Sequence, residues 1–440
     1  MTTADTARGV DRPSPPGTEL RLLAGWADTG SSAGARAHLA RYGPVPLTAF
    51  RGAAGADRLI ETVAAAGLRG RGGGGFATAR KLVAVATGRG RRTVVANGCE
   101  GDPSSTKDQV LLELAPHLVL DGIVLAAHAV GATDAVLCVH GGAGAQRLSA
   151  AVRERDGDPV GITVVPVPGH YVASEESALV NFLNTGDARP TVTPPRPAQR
   201  GVRGGPTLVD NVETLAHLAL IARFGAGWFR TAGTAASPGT TLITLGGAVT
   251  DPGVYEIALG TTIGQVLARA AGPSDPLQAV LIGGLSGSWL PADDAADLPL
   301  THEDCRAAGA SFGVAVVGAL PERACGIVES ARILRRLAEA SARQCGPCMF
   351  GLPAVADDMA RLAVAATPQT GLLDRLHRRL AVIPGRGACA HPDGSVRMTA
   401  SALDVFAADA AEHAAGRPCR WAGPAAAPRS SAVPPQRRRW

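Results

Sequence analysis

Lysine is almost missing from this chain. Of 43 basic residues only two, Lys81 and Lys107, are lysine, and the rest are arginine. Aromatic residues make up 4% of the sequence, whereas alanine and glycine abound. That pattern fits a mutational bias toward Ala, Gly, Arg and Pro. Against such a bias a retained lysine is informative, because an arginine fork cannot always replace a compact ammonium, although two survivors of chance would look the same. Long apolar runs are lacking too, and none reaches the roughly 18 residues that span a bilayer. Met1 to Pro16 carries no basic-then-apolar signal pattern. No basic stripe with interleaved aromatics is found: the net charge is +5, 38 acidic residues are interspersed, and much of the excess sits in Arg437, Arg438 and Arg439. Nucleic acid is therefore not an expected partner, no direct membrane span is expected, and a cytoplasmic location is. Eight cysteines in such a chain point to metal or redox use before disulfides.

What is present suggests several domains. A chain of 440 residues, 46% of them hydrophobic, has material for two to four cores. Residues 1–18 are polar and proline-rich and read as disordered. Residues 19–66 read as short helices. Segments 92–98, 135–142 and 162–169 read as buried strands alternating with helical patterns, which predicts a parallel, helix-covered sheet. Residues 186–206, crowded with Pro and Gly, read as a long ordered loop or lid. From about 238 the pattern alternates, turns at Asp251-Pro252-Gly253 and becomes helical, as in a small β-grasp module. Residues 326–410 are nearly all helical, broken by cysteine-bearing turns. The stretch 415–440 reads as a flexible basic tail.

Four segments carry chemistry. In "GLRGRGGGGFATARK", residues 67–81, consecutive glycines adjoin Arg69, Arg71 and Lys81. Glycine lets backbone amides approach a ligand, and amides at a helix start attract phosphate; a mobile linker is the alternative, disfavoured by the flanking arginines and Phe76. "NGCEGDPSSTKD", residues 97–108, follows a strand, where ligands gather in open α/β sheets. Asn97 offers an amide for a heteroaromatic edge and Glu100, Asp102 and Lys107 supply charge, unless this is simply a solvated turn. In "GHYVASEESALVNFL", residues 169–183, Glu175 and Glu176 precede a helix and so favour its N-terminus whatever else they do. In "CGPC", Cys345 and Cys348, with Cys389 further on, the spacing suits a redox pair, zinc or an iron–sulfur cluster, or a buried structural pair. The helical setting argues against a thioredoxin-like motif.

Taken in this order, "GLRGRGGGGF", "DPSSTKDQVLLELAPHLVLDGIVLAAHAVGA", "EESALVNFL", "PPRPAQRGVRGGPTLVDNVETLA" and "CGPC" resemble the flavoprotein subunit of respiratory complex I and related diaphorases over roughly residues 35 to 410. The resemblance implies an α/β Rossmann-like FMN domain (19–235), a β-grasp domain of the soluble-ligand-binding type (236–325) and a helical iron–sulfur bundle (326–414). It implies hydride transfer from NADH or NADPH to FMN, single electrons passed to a [4Fe-4S] cluster, and a ferredoxin-like or other iron–sulfur electron-transfer subunit as partner, in the cytoplasm or peripheral to a membrane assembly. Matched by position, Gly70, Arg71, Gly72, Gly73, Lys81, Asn97, Glu100, Tyr171, Glu175, Glu176, Asn211 and Thr214 are the implied FMN residues. Phe76 and Asp102 fall on the dinucleotide side, and Cys345, Cys348 and Cys389 on the cluster.

Departures from the family pattern are equally specific. Cys99 replaces an acid, Ser174 a glycine and Asp210 an asparagine. Two further ring positions hold Ala84 and Arg196, Thr193 replaces a lysine, and Asp102 is a shortened glutamate. Each lost stacking contact forfeits roughly 0.5–1.5 kcal/mol beyond its area, and Arg196 suits a phosphate instead. Ala342 stands where a first cluster cysteine is expected, leaving His391 or Cys325 as a fourth ligand. A second reading follows: an electron-relay or docking scaffold subunit that has lost NADH oxidation.

Overall fold

The computed structural model describes residues 20–24, 34–155 and 157–421. The N-terminal segment expected to be disordered, and residues 422–440 of the expected tail, lie outside these. Strands β1 (Thr93–Asn97), β2 (Asp134–His140), β3 (Gly161–Val167) and β4 (Thr207–Asn211) form one sheet in the order β3-β2-β1-β4, with every neighbouring pair parallel. Val94, Val95 and Ala96 are fully buried, as expected for a strand covered on both faces. β4 was not expected: "TLVDN" is short, does not alternate and follows a Pro/Gly-rich loop, so only its pairing with β1 makes it a strand.

The chain leaves β1 toward β2 and β3 on one side and returns to β4 on the other. The switch point of the sheet therefore lies between the carboxyl ends of β1 and β4, where ligands bind in open α/β sheets. Helices Pro116–Val130 and Val212–Phe229 pack on the sheet and on each other. Their close approach needs Gly122, because a Cβ there would lie 2.0 Å from the Leu215 carbonyl oxygen. The expected helices before residue 66 are Ala35–Tyr42 and Gly52–Ala66. Arg21, Leu22 and Leu23 instead donate their backbone amides to the buried Glu256 carboxylate.

A second, mixed sheet contains β5 (Thr240–Gly247), β6 (Gly253–Ala258), β7 (Leu277–Ile282), β8 (Ser288–Pro291) and β9 (Val316–Pro321), in the order β6-β5-β9-β7-β8. Its helix Ile263–Arg269 opens with a Thr262/Gln265 capping box. The chain then forms helices Gly326–Glu339, Leu352–Ala363, Leu372–Val382, His391–Val405 and Ala407–Ala414. They bury a common core that includes Leu334, Leu337, Met359, Leu376 and Met398. No single helix among the described residues is long and apolar enough to cross a membrane.

Candidate functional site

Four separate segments meet at the switch point. Asn97 and Asn211 are register partners at the ends of β1 and β4. The Asn211 side-chain amide donates to the Asn97 carbonyl (3.3 Å) and to Asp108 (2.6 Å), and its oxygen caps the next helix by accepting from the Glu213 amide (3.0 Å). The glycine loop is tied to that helix, since the Arg71 amide donates to the Thr214 hydroxyl at 2.8 Å. Gly72 packs on Asn211, where a Cβ would meet the Asn211 Cβ at 3.3 Å. Asn97 donates its side-chain amide to the Ser174 carbonyl at 2.8 Å. Lys81 Nζ donates to the Val209 carbonyl at 3.0 Å and lies 3.5 Å from the Glu176 carboxylate. The loop at 70–75 is thus anchored beside Lys81, Asn97 and Glu176, not loose in solvent.

Asp210 lies behind this loop, its Oδ1 4.0 Å from where a Gly70 Cβ would stand. Its Oδ2 is buried with no hydrogen-bond partner among the described residues. Burial pushes the carboxyl up to about 6, against the pull of the Lys81 charge. A buried acceptor without a partner costs free energy, so its presence marks a place where a ligand or water completes the set.

Other residues expected in the pocket are placed to support it. The Arg71 guanidinium turns away from the loop and donates to the Thr240 carbonyl (3.1 Å) and the Arg69 carbonyl (2.9 Å). Glu100 accepts from Ser105 Oγ (2.7 Å) and the Asp108 and Gln109 amides (3.0 and 3.1 Å), capping helix Lys107–Leu114. Burial, reinforced by the Asp108 charge, raises Glu100 to about 7. Glu175 caps helix Glu176–Thr185 by accepting from the Ser177 and Ala178 amides. Asp102 accepts from the Ser104 amide (2.9 Å) and from the Leu285 amide of the second sheet (2.7 Å). Tyr171 donates to Asp102 (3.3 Å), contacts Ser286 through its hydroxyl and meets the His391 ring edge-on at 5.2 Å. Tyr171 is therefore where both sheets and the helical bundle meet. Phe76 is 44% exposed, with the Arg80 guanidinium over its ring.

A cavity of about 700 Å³ opens one strand away, over the ends of β1 and β2, lined by Gly98, Glu100, Thr106, His140 and Arg147. Among the FMN-side residues it touches only Glu100. The switch point, where the four segments converge, is the better site.

The sequence reading gives Lys107 a charge to supply in the turn at 97–108 but no place among the FMN residues. The fold buries it, with Nζ 2.6 Å from Asp108 and 2.8 Å from Glu213. Asp108 also holds Asn211, so this ion cluster fixes the turn after β4 from beneath.

In the bundle, the Cys345, Cys348 and Cys389 thiols perturb one another electrostatically. Although burial opposes its ionisation, the Ala388 and Cys348 amides hold Cys345 below the usual thiol value. Burial first, then the Cys345 thiol, pushes Cys348 up to about 12. His391 donates Nε2–H to the Leu337 carbonyl at 2.8 Å, which leaves Nδ1 as a buried lone pair with no partner among the described residues. Ala342 lines a cavity of about 580 Å³ with Tyr171, Arg189 and Ser341. Cys325 begins helix Gly326–Glu339, whose Leu337 binds His391. Twelve residues of helix separate the two by about 18 Å, so Cys325 is not a ligand beside Cys389.

Known proteins carry the same combination. The Nuo51 FMN-binding domain matches residues 63–220, the NADH-ubiquinone oxidoreductase-F iron-sulfur binding region residues 329–413, and the SLBB domain residues 242–285. An NADH-quinone oxidoreductase F-subunit of Rhizobium meliloti is 31% identical over 82% of this chain and 90% of its own length. Its counterpart in Streptomyces coelicolor is 34% identical over 82% and 84%. The chain belongs to the family of NADH-quinone oxidoreductase F-subunits. An NAD+-reducing [NiFe]-hydrogenase in the H2-reduced state superposes with a TM-score of 0.79 at 30% identity, covering 92% of this chain and 68% of the other. Within this family's pattern, the match over residues 63–220 spans the glycine loop, Asn97, Glu176 and Asn211. The match over 329–413 spans Cys345, Cys348 and Cys389 but stops short of Cys419.

Proposed function

We propose that this chain is an NAD(P)H dehydrogenase-type flavoprotein subunit that moves electrons between NADH or NADPH and an iron–sulfur cluster by way of FMN, and on to an iron–sulfur partner. The observation carrying this reading is the convergence of the glycine loop, Asn97, Glu176 and Asn211 at the switch point. The residues fit FMN: the loop offers bare backbone, and Asp210 offers a buried acceptor lacking a partner. Bound there, FMN supplies exchange between a two-electron donor and one-electron acceptors. Gly70, Gly72, Gly73 and Lys81 bind its phosphate, while Arg71 holds the loop in place. Asn97, Asn211 and Thr214 shape the edge of the ring site. Glu100, Glu175 and Glu176 fix the turns around it, and Tyr171 closes it toward the bundle. Phe76 offers a ring to the dinucleotide and Asp102 braces that side.

Cys345, Cys348 and Cys389 fit a cluster, since thiolates are its usual ligands and the three are close enough to perturb one another. His391 Nδ1, two residues after Cys389 and without a partner, is the candidate fourth ligand. A division at 235, 325 and 414 into Rossmann-like, β-grasp and helical parts belongs to the same reading, and the two sheets and the bundle support it. A cytoplasmic location, free or peripheral to a membrane assembly, suits a subunit of this kind.

The test is the visible spectrum of purified protein. Flavin bands bleached anaerobically by NADH or NADPH are expected, with iron lost in Cys345→Ala and reduced in His391→Ala. The single remaining ring, Phe76, favours a second reading, a relay or docking subunit that no longer oxidises NADH; bound flavin that neither nucleotide bleaches would select it. Colourless protein after flavin and cluster reconstitution would overturn both.

A further inference from the structure

A second group of soft ligands lies at the far end of the bundle. Cys325, His413 and Cys419 bring their ligand atoms within 4.8 Å of one another. His413 donates Nδ1–H to the Leu362 carbonyl at 3.0 Å, so its Nε2 must carry the lone pair. That lone pair faces Cys325 Sγ at 3.5 Å. With Zn–S near 2.3 Å and Zn–N near 2.05 Å, a tetrahedral zinc separates such a pair by about 3.6 Å. The only other group on Nε2 among the described residues is the Cys419 amide, at a long 3.3 Å.

The chain is built to bring these groups together. Cys325 caps helix Gly326–Glu339, and its sulfur accepts from the Val328 amide at 3.5 Å, which fixes where the sulfur points. After helix Ala407–Ala414 the chain reverses at Gly416, which has φ +78 and packs on Thr367 and Pro368. The Arg417 amide closes the turn on the Glu412 carbonyl at 2.9 Å. The reversal carries Cys419 back over His413. A carbonyl orienting the far nitrogen of the imidazole is the usual support of a metal-bound histidine.

We propose that Cys325, His413 and Cys419 bind a zinc ion, with water at the partly exposed fourth position, and that the ion fastens the chain just beyond helix Ala407–Ala414 to the start of Gly326–Glu339. The site is separate from Cys345, Cys348 and Cys389, which gather at the other end of that helix. No redox step is involved: the two thiols release their protons to solvent as the metal binds.

Metal analysis of the full-length protein tests this. About one zinc per chain is expected as purified. It should be lost in Cys325→Ser, His413→Ala and Cys419→Ser, and kept in Cys345→Ala, which loses iron instead. Cys419 lies near the chain surface, so its variant keeps the test open if the buried ones fail to fold. Cobalt added to zinc-stripped wild-type protein should give thiolate charge-transfer and tetrahedral ligand-field bands, absent in Cys419→Ser. Zinc retained in Cys419→Ser, no zinc with no cobalt bands, loss of iron rather than zinc from Cys419→Ser, or a Cys325–Cys419 disulfide in the native protein would each overturn the proposal.

Discussion

At the scale of single residues, Lys107 and Asp210 show opposite solutions to burying charge. Lys107 bridges Asp108 and Glu213 in a fully buried cluster. Burial alone would raise Glu213, but Lys107, helped by His217 and Arg71, brings it down to about 2. Its contribution to stability is therefore present above the ordinary carboxylate value near 4.5 and is lost as pH falls toward 2. Lys107→Met takes the nearest cation from two buried carboxylates, leaving Glu213 only Arg71 at 3.8 Å, and should destabilise by roughly 3–5 kcal/mol, read from urea unfolding at neutral pH, with the loss shrinking as the solution is acidified. Asp210 works the other way. Its folded value, about 6 against an ordinary 3.8, means that its contribution is fully present below 3.8 and is lost as pH rises through 6. Asp210→Asn mimics the protonated form, so it should stabilise at pH 8 by roughly 1–3 kcal/mol and flatten the melting-temperature profile between pH 4 and 7. An unchanged profile would show that another group governs that window.

Elements are positioned by small residues where backbones touch. A Cβ on Gly101 would stand 2.0 Å from the Tyr171 carbonyl oxygen. Gly101→Ala must therefore push apart the turn after β1 and the segment leading into helix Glu176–Thr185. A displacement of this kind should weaken flavin binding at least tenfold, about 1.4 kcal/mol, measured by quenching of flavin fluorescence on titration with apoprotein. Most elements were legible in the sequence, since β1, β2 and β3 are compact β-branched runs and helix Gly52–Ala66 ends at Gly67, in a left-handed conformation. β4 was not, because five residues without alternation become a strand only by pairing with β1. Glu175 was legible at the start of its helix, whereas Glu100 was legible as a charge but not as a cap. Whether Glu100 faces a ligand or Lys107–Leu114 depends on where that helix begins in space.

For the whole molecule, Asp102 and Tyr171 are the joints. Asp102, from the turn after β1, accepts the Leu285 amide of the second sheet, and Tyr171 touches Asp102, Ser286 and His391. Asp102→Ala strands a buried amide and should cost about 1–3 kcal/mol, with faster proteolysis between the sheets while far-ultraviolet circular dichroism is retained. Equal loss of secondary structure and of protease resistance would mean that Asp102 holds one domain rather than joining two. Tyr171 also lies between the switch point and the cysteine-bearing end of the bundle, which is the direction electrons take in the proposed function.

By itself the sequence determined most of the elements and the family, and singled out candidate residues for its chemistry, because strand and helix periodicity, glycine runs and cysteine spacing are local properties of the chain. Only the tertiary structure decided that Arg71 supports the loop from behind, that Lys107 is sealed in an ion cluster, that Asp210 lacks a partner, and that Cys325 belongs with His413 and Cys419 rather than with Cys389. Each of these depends on which distant backbone or charge a side chain meets, and on the length of rigid helix between two ends, neither of which spacing along the chain encodes.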